Sequence, residues 1–150
     1  MKKYISNSPV QTKNLAKKIA KSIKGGKVLA LVGELGSGKT QFTKGLAEYY
    51  SAKGGSASGG KINITSPTFV LLKPYKIENK KISRLVHVDC YRLDNAEELL
   101  AIGLDEFIEN KNNLVVIEWA EKIKELLSQD TIWIDFKLGK TEQQRIIQIN

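Results

Sequence analysis

One octapeptide limits what this 150-residue chain can fold into more than any other feature: Gly33-Glu-Leu-Gly-Ser-Gly-Lys-Thr40, a match to G-x-x-x-x-G-K-[ST]. Upstream of it, Lys27 to Val32 is a nearly continuous apolar run ending at glycine, the pattern of a strand buried on both faces in a parallel sheet. Downstream, Lys39 to Tyr50 reads as a helix. In that setting glycines let backbone amides turn inward around an anion, and the helix N-terminus adds partial positive charge. Gly33, Leu35, Gly36, Ser37, Gly38, Lys39 and Thr40 are therefore the expected phosphate-binding residues. Lys39 is expected at the β and γ phosphates, and the Thr40 hydroxyl on magnesium. A second Gly139-Lys140-Thr141 lacks the glycine five positions upstream and reads as a hairpin turn, a decoy for phosphate binding.

The remaining elements follow from capping and periodicity. Ser8-Pro9-Val10-Gln11 supplies an N-cap serine, a proline at the first helical position and a glutamine three residues past the cap. Leu15, Ala16, Ile19, Ala20 and Ile23 then form one apolar stripe, with Gly25-Gly26 as the stop. Met1 to Ile5 reads as a short edge strand. Further strands are expected at Ile62 to Ile64, Thr68 to Leu72, Arg84 to Asp89, Leu114 to Glu118, Thr131 to Leu138 and Gln143 to Ile149, the last two as an antiparallel hairpin. Helices are expected at Asn95 to Ile102, Asp105 to Ile108 and Ala120 to Leu127. The glycine- and serine-rich residues 51–60 read as a flexible surface loop within one domain spanning the chain. Strands alternating with helices give an α/β fold: a three-layer, P-loop NTPase-like domain with a mixed, mainly parallel central sheet and a C-terminal antiparallel hairpin.

Composition excludes several classes. With 41% hydrophobic and 27% charged residues the chain reads as globular, and its longest uncharged apolar run, Val28 to Val32, is too short to span a bilayer. The first residues lack the apolar stretch of a secretory signal, and the single cysteine, Cys90, excludes an internal disulfide, so a cytoplasmic protein is expected. The net charge of +8 is localised: eight lysines precede Val28, the first acidic residue is Glu34, and the remaining 16 basic residues match 16 acidic ones. A solvated lysine face accounts for such a strip, and contact with RNA or an acidic partner is the other reading.

A phosphate loop needs an acidic partner at the C-terminal end of a neighbouring strand. Glu118, ending the run Leu114-Val-Val-Ile-Glu118, emerges at the same sheet edge as the loop, where ligands of open α/β sheets bind. Trp119 follows it, as packing or as a nucleotide contact. Thr65-Ser-Pro-Thr-Phe69 places the Ser66 and Thr68 hydroxyls around a rigid proline turn, a candidate sensor of the γ-phosphate. In His87-Val-Asp-Cys-Tyr-Arg92, alternation puts His87, Asp89 and Tyr91 on one face. Asp89 is then a second magnesium-linked carboxylate, His87 is a core or a site residue, and Cys90 points away as a small buried residue.

In their order and spacing, Gly33 to Thr40, Ser66-Pro-Thr-Phe69, His87-x-Asp-x-Tyr-Arg92 and Glu118-Trp119 resemble the TsaE (YjeE) family, the small bacterial ATPases of tRNA threonylcarbamoyladenosine biosynthesis. The resemblance runs from Ser8 to about Gly139. It implies ATP bound with Mg2+ near Thr40 and Glu118, Asp89 supporting the metal site, and Ser66 to Phe69 as a switch-like loop. It also implies an adenine site between the start of the first helix and the Gly139 turn, and work alongside the TsaB–TsaD complex that modifies tRNA. His87, Tyr91, Arg92 and Trp119 carry the family motif without an assigned role. Residues 51–60 depart from the family pattern by their length and glycine content.

Only Arg84, Arg92 and Arg145 are arginines, and none stands out in the sequence as a charge-stabilising finger, so hydrolysis is expected to be slow without partners. Two alternatives stay open: a small-molecule kinase, although no arginine-bearing lid is evident, and a nucleotide-gated binding module with incidental hydrolysis. A GTPase is disfavoured because Asn110-Lys111-Asn112-Asn113 ends in asparagine and no D-x-x-G occurs.

Overall fold

The computed structural model describes residues 1–54, 62–64, 71–77 and 82–150. Seven strands form one sheet: β1 (Lys2–Ser6), β2 (Lys27–Gly33), β3 (Leu72–Lys76), β4 (Arg84–Asp89), β5 (Asn113–Glu118), β6 (Ile132–Leu138) and β7 (Arg145–Ile149). Their order is β1-β7-β6-β2-β5-β4-β3. The centre is parallel, with β2 between β5 and β6 and β5 beside β4. The margins are antiparallel, β6–β7–β1 at one side and β3–β4 at the other.

Helix α1 (Pro9–Ala20) starts where its cap specifies: Gln11 N–H donates to Ser8 Oγ at 3.2 Å, and Gln11 Oε1 accepts from Asn7 N–H at 2.7 Å. Helix α2 (Lys39–Gly54) packs along it. The pair lies close because Gly45 has no side chain; a Cβ there would meet Lys13 O at 2.5 Å. α2 also runs past the expected end at Tyr50, so Ser51 to Gly54 are helical and not loop. Ser51 Oγ donates to Ala47 O at 2.8 Å, which satisfies its hydroxyl within the helix.

Alternation along β2 divides the core. Leu29 and Leu31 join Ala16, Phe42 and Leu46 on the α1/α2 face, while Val28 and Ala30 join Val86, Val115 and Leu104 on the other. That second face is covered by α3 (Glu97–Ala101), α4 (Leu104–Glu109) and a 3-10 segment, Ala120–Leu126, broken at Ile123. The result is the expected three-layer α/β arrangement with a mixed sheet and a terminal hairpin.

Two strand expectations change. Residues Ile62 to Ile64 form no strand: Ile64 is buried in the core, but Ile62 N–H donates to Ser51 Oγ at 3.1 Å and not to a neighbouring strand. Of the strand expected at Thr68 to Leu72, residues 68–70, like 55–60, lie outside the described residues; the described strand runs Leu72–Lys76, beyond the expected end. Its Lys-Pro-Tyr-Lys sequence gives little apolar alternation, and Pro74 is tolerated because β3 is the edge of the sheet. Among the described residues no helix is long and apolar enough to cross a membrane.

Candidate functional site

The loop between β2 and α2 opens at the C-terminal edge of the parallel strands, the edge where β5 delivers Glu118 and β4 delivers Asp89. Gly33 fixes its root: φ is 144°, and a Cβ would come within 2.3 Å of Phe136 O on β6. Gly36 and Gly38 also have positive φ, 74° and 105°. Phe42 N–H donates to Gly38 O at 3.0 Å as the first satisfied amide of α2, so the amides of Lys39, Thr40 and Gln41 are left without helical partners. Ser37 Oγ is buried without a partner inside the turn. The Leu35 side chain stands exposed at the tip.

Lys39 is only 4% exposed, and its Nζ donates to Gly33 O at 2.6 Å and Glu34 O at 2.9 Å. The same ammonium lies 3.9 Å from the centre of the Trp119 ring. Burial pushes its pKa below the ordinary 10.5, more strongly than the carboxylates of Glu118, Glu121 and Asp89 hold it up. Desolvated and held against weak dipolar partners, this ammonium is suited to exchange carbonyls for phosphate oxygens.

Glu118 is 2% exposed and fully engaged. Oε2 accepts from Thr40 Oγ1 at 2.8 Å; Oε1 accepts from Thr43 Oγ1 at 3.4 Å and pairs with His87 Nε2 at 2.9 Å. A carboxylate acceptor places the imidazole proton on Nε2, leaving the buried Nδ1 without a partner. His87 is therefore a core residue by burial and a site residue by contact. Thr43 also donates to Lys39 O at 3.1 Å, which ties the carboxylate to the first turn of α2.

Of the other predicted residues, Asp89 lines the cleft beside the loop, and its Oδ1 accepts from Tyr91 N–H at 3.0 Å. Tyr91 follows β4, and its ring lies 5.0 Å from that of Trp119. Trp119 has φ of 58°, a left-handed conformation costing on the order of 1–3 kcal/mol in a non-glycine residue, and it sits directly after the acid. Arg92 is exposed and outside the cleft lining. Ser66 and Thr68 lie outside the described residues. Cys90 is buried, and burial pushes its thiol up to about 12, as expected of an inert packing residue. Gly139 does not line the cleft: its N–H donates to Gln144 O at 2.8 Å within the β6–β7 turn.

These residues surround a cleft of about 390 Å3. One side is formed by Asp89, Tyr91, Glu118 and Trp119, the other by Pro9 and Thr12 of α1 with Glu142, Gln143 and Arg145 of the β6–β7 hairpin. Two contributors escaped sequence reasoning. Arg145 donates to Gly36 O in the loop itself, and Lys122 Nζ fastens the segment after β4 through Tyr91 O at 2.6 Å and Leu93 O at 3.1 Å. Neither belongs to a local motif; both reach the site only through sheet topology. The residues fit a magnesium-complexed nucleotide: a hydroxyl joined to a carboxylate at the mouth of an amide turn, with a buried ammonium alongside. Among the described residues there is no group of three or more His, Cys, Asp or Glu side chains placed to hold a metal ion by themselves.

Comparison with known proteins agrees with this geometry. Residues 6–147 match the family model described as threonylcarbamoyl adenosine biosynthesis protein TsaE. The tRNA threonylcarbamoyladenosine biosynthesis protein TsaE of Bacillus subtilis is 37% identical over 144 residues, spanning 96% of this chain and 82% of that protein. Its counterpart in Rickettsia bellii is 40% identical over 134 residues, 89% and 85% of the two chains. The crystal structure of Bacillus subtilis YdiB superimposes with a TM-score of 0.73 at 34% identity, covering 99% of this chain and 83% of that one. A family match over nearly the whole length, with relatives 37% and 40% identical along most of both chains, means that the chain belongs to the TsaE family.

Proposed function

We propose that this protein binds ATP with magnesium in the cleft and hydrolyses it in support of tRNA N6-threonylcarbamoyladenosine biosynthesis, working with the TsaB–TsaD complex. The observation that carries the nucleotide reading is the 2.8 Å bond from Thr40 of the phosphate loop to Glu118. It joins the two groups that a magnesium–triphosphate complex requires side by side. The pathway reading is supported by the family.

In this reading the amides of the loop and of the first turn of α2 hold the phosphate oxygens, and Lys39 leaves the carbonyls of Gly33 and Glu34 for the β and γ phosphates. Thr40 and Glu118 would hold the metal, which would supply charge neutralisation for the phosphates. Asp89 lies where a second carboxylate can order water around that site. His87 keeps the Glu118 carboxylate in place through Nε2. The adenine base belongs between α1 and the β6–β7 hairpin, where Pro9, Thr12 and Gln143 line the cleft. Ser66 and Thr68 remain the proposed switch residues.

Turnover alone is expected to be slow. The Arg145 fork is already committed to main-chain carbonyls, and Arg92 is outside the cleft lining. Phosphate release should therefore be measured with TsaB, TsaD and tRNA, omitting each in turn. Acceleration by the partners is the expected result, and equal rates with and without them would overturn the partner reading. A phosphorylated metabolite in place of free phosphate would instead make the protein a kinase. Contact with tRNA through the N-terminal lysines is part of the same proposal, although Lys13 and Lys17 already pair with Glu48 and Lys27 with Asp130.

A further inference from the structure

We infer that Arg145 is a positioning residue of this cleft: its guanidinium pins the β6–β7 turn to the phosphate loop and so holds the base-side wall in register with the phosphate side. The inference rests on the ATP-binding reading above and identifies what gives the cleft its second wall. Arg145 is the first residue of β7, and its stem passes over Gly38, whose added Cβ would lie 3.8 Å from Arg145 Cγ. From there the head group reaches both ways. Nε and Nη2 donate to Gly36 O at 3.2 and 3.0 Å, while Nη1 donates to Glu142 O at 2.6 Å and Gln144 O at 2.8 Å.

These bonds continue into α1. Gln144 Nε2 donates to Asn7 Oδ1 at 2.9 Å, Gln144 Oε1 accepts from Lys140 N–H at 3.0 Å, and Asn7 N–H donates to Gln11 Oε1 at 2.7 Å. One chain of bonds thus links Gly36, the 142–144 turn and the entry to α1, the segments that carry Pro9, Thr12 and Gln143 into the cleft. The planar guanidinium spreads its donors over three nitrogens in a fixed fork that reaches carbonyls on both sides; a lysine ammonium gathers its donors on one nitrogen at the end of a flexible stem and does not reproduce that fork. All three acceptors are main-chain oxygens, so the role is to fix backbone, and it should act on every nucleotide that uses the loop and the base site, whatever its phosphate count.

The test measures ATP and ADP affinity, each with magnesium, in the full chain and in Arg145→Ala, Arg145→Gln and Arg145→Lys. Hydrogen exchange at the Gly36 to Gly38 amides is read on the same proteins without nucleotide. Loss of charge-assisted bonds of this kind corresponds to about a tenfold weakening, expected equally for ATP and ADP. Arg145→Lys should recover little of it, and the loop amides should exchange faster in all three variants. Weakening confined to ATP would show a γ-phosphate contact and overturn the inference, as would full recovery in Arg145→Lys or unchanged loop exchange. Should Arg145→Ala not fold, Arg145→Gln and Arg145→Lys carry the same comparison. If the unaltered chain binds neither nucleotide, the ATP reading fails, while the exchange measurement still decides whether Arg145 pins the loop.

Discussion

Glu118 and Arg145 line the same cleft from walls built in different ways. Glu118 closes a central strand that is buried at every residue, and it receives hydrogen bonds from Thr40, Thr43 and His87 on two other elements. Arg145 begins a strand near the sheet margin, is half-exposed, and holds main-chain carbonyls of a turn and a loop. The acid wall is set by a strand inside the core; the other wall joins the start of α1, seated on α2, to a turn that the Arg145 hydrogen bonds tie to the loop. In the proposed reading, the metal and phosphates fall to the first wall and the adenine base to the second.

The largest effect that would break this contrast comes from the acid. Glu118→Ala should lower hydrolysis on the order of a hundredfold or more. It should also cost about 1–3 kcal/mol in denaturant unfolding, since buried donors lose their acceptor. Glu118→Gln keeps one acceptor oxygen and turns the other into an amide donor, so it should regain part of the stability without regaining the activity; wild-type hydrolysis in Glu118→Gln would remove the acid wall from the mechanism.

Next in size is Gly45→Ala, which acts on the other wall from a distance. Its Cβ would meet Lys13 O at 2.5 Å and Ala16 Cβ at 2.8 Å, so α1 must shift and carry Pro9 and Thr12 with it. A loss of about 1–3 kcal/mol is expected from such overpacking, with weaker nucleotide binding. Unchanged unfolding would mean that α1 is loosely seated.

A smaller effect lies between the walls. The lowered pKa of Lys39 means that, as pH rises towards it, the nucleotide-free protein sheds this proton, whereas bound phosphate requires the ammonium. ATP binding should take up protons in alkaline buffers, and affinity should fall as pH rises; calorimetry in buffers of different ionisation enthalpy measures the uptake. Affinity that strengthened with pH would contradict the placement of Lys39.

The smallest effect is on the helical face. Hydrogen bonds from Lys13 and Lys17 hold the Glu48 carboxyl below its ordinary 4.5, so its contribution is present above that pH and is lost as pH falls through the folded value. The carboxylate is 37% exposed, and after solvent screening Glu48→Gln should cost at most about 0.5 kcal/mol at neutral pH. Equal melting curves of the two proteins in acid would accompany that loss.

Signals confined to a few consecutive residues were readable in the sequence. The Ser8 cap placed α1, the apolar runs placed β2 and β5, and β4 occupies Arg84–Asp89 as its alternation predicts. Glu118 was legible as a strand end because a buried run in a parallel sheet finishes at the ligand edge. What escaped depends on pairing across the sheet. β3 is an edge strand in which Lys73, Pro74 and Lys76 leave only Leu72 and Tyr75 apolar, on opposite faces, so its pattern is faint. Arg145 lies 109 residues from Gly36 in sequence and meets it only because β6 lies between β2 and β7. Ile62 and Ile64 carry a strand-like composition, yet they bury side chains without a ladder.

The central claim, that the Gly33 to Thr40 loop and Glu118 together hold magnesium-complexed ATP, is tested most directly by calorimetric titration of ATP into the protein with and without magnesium. Glu118→Gln is titrated in parallel. The account predicts one site per chain, tighter with magnesium in the unaltered protein and nearly insensitive to magnesium in Glu118→Gln. No heat of binding, or an equal magnesium effect in both proteins, would contradict it.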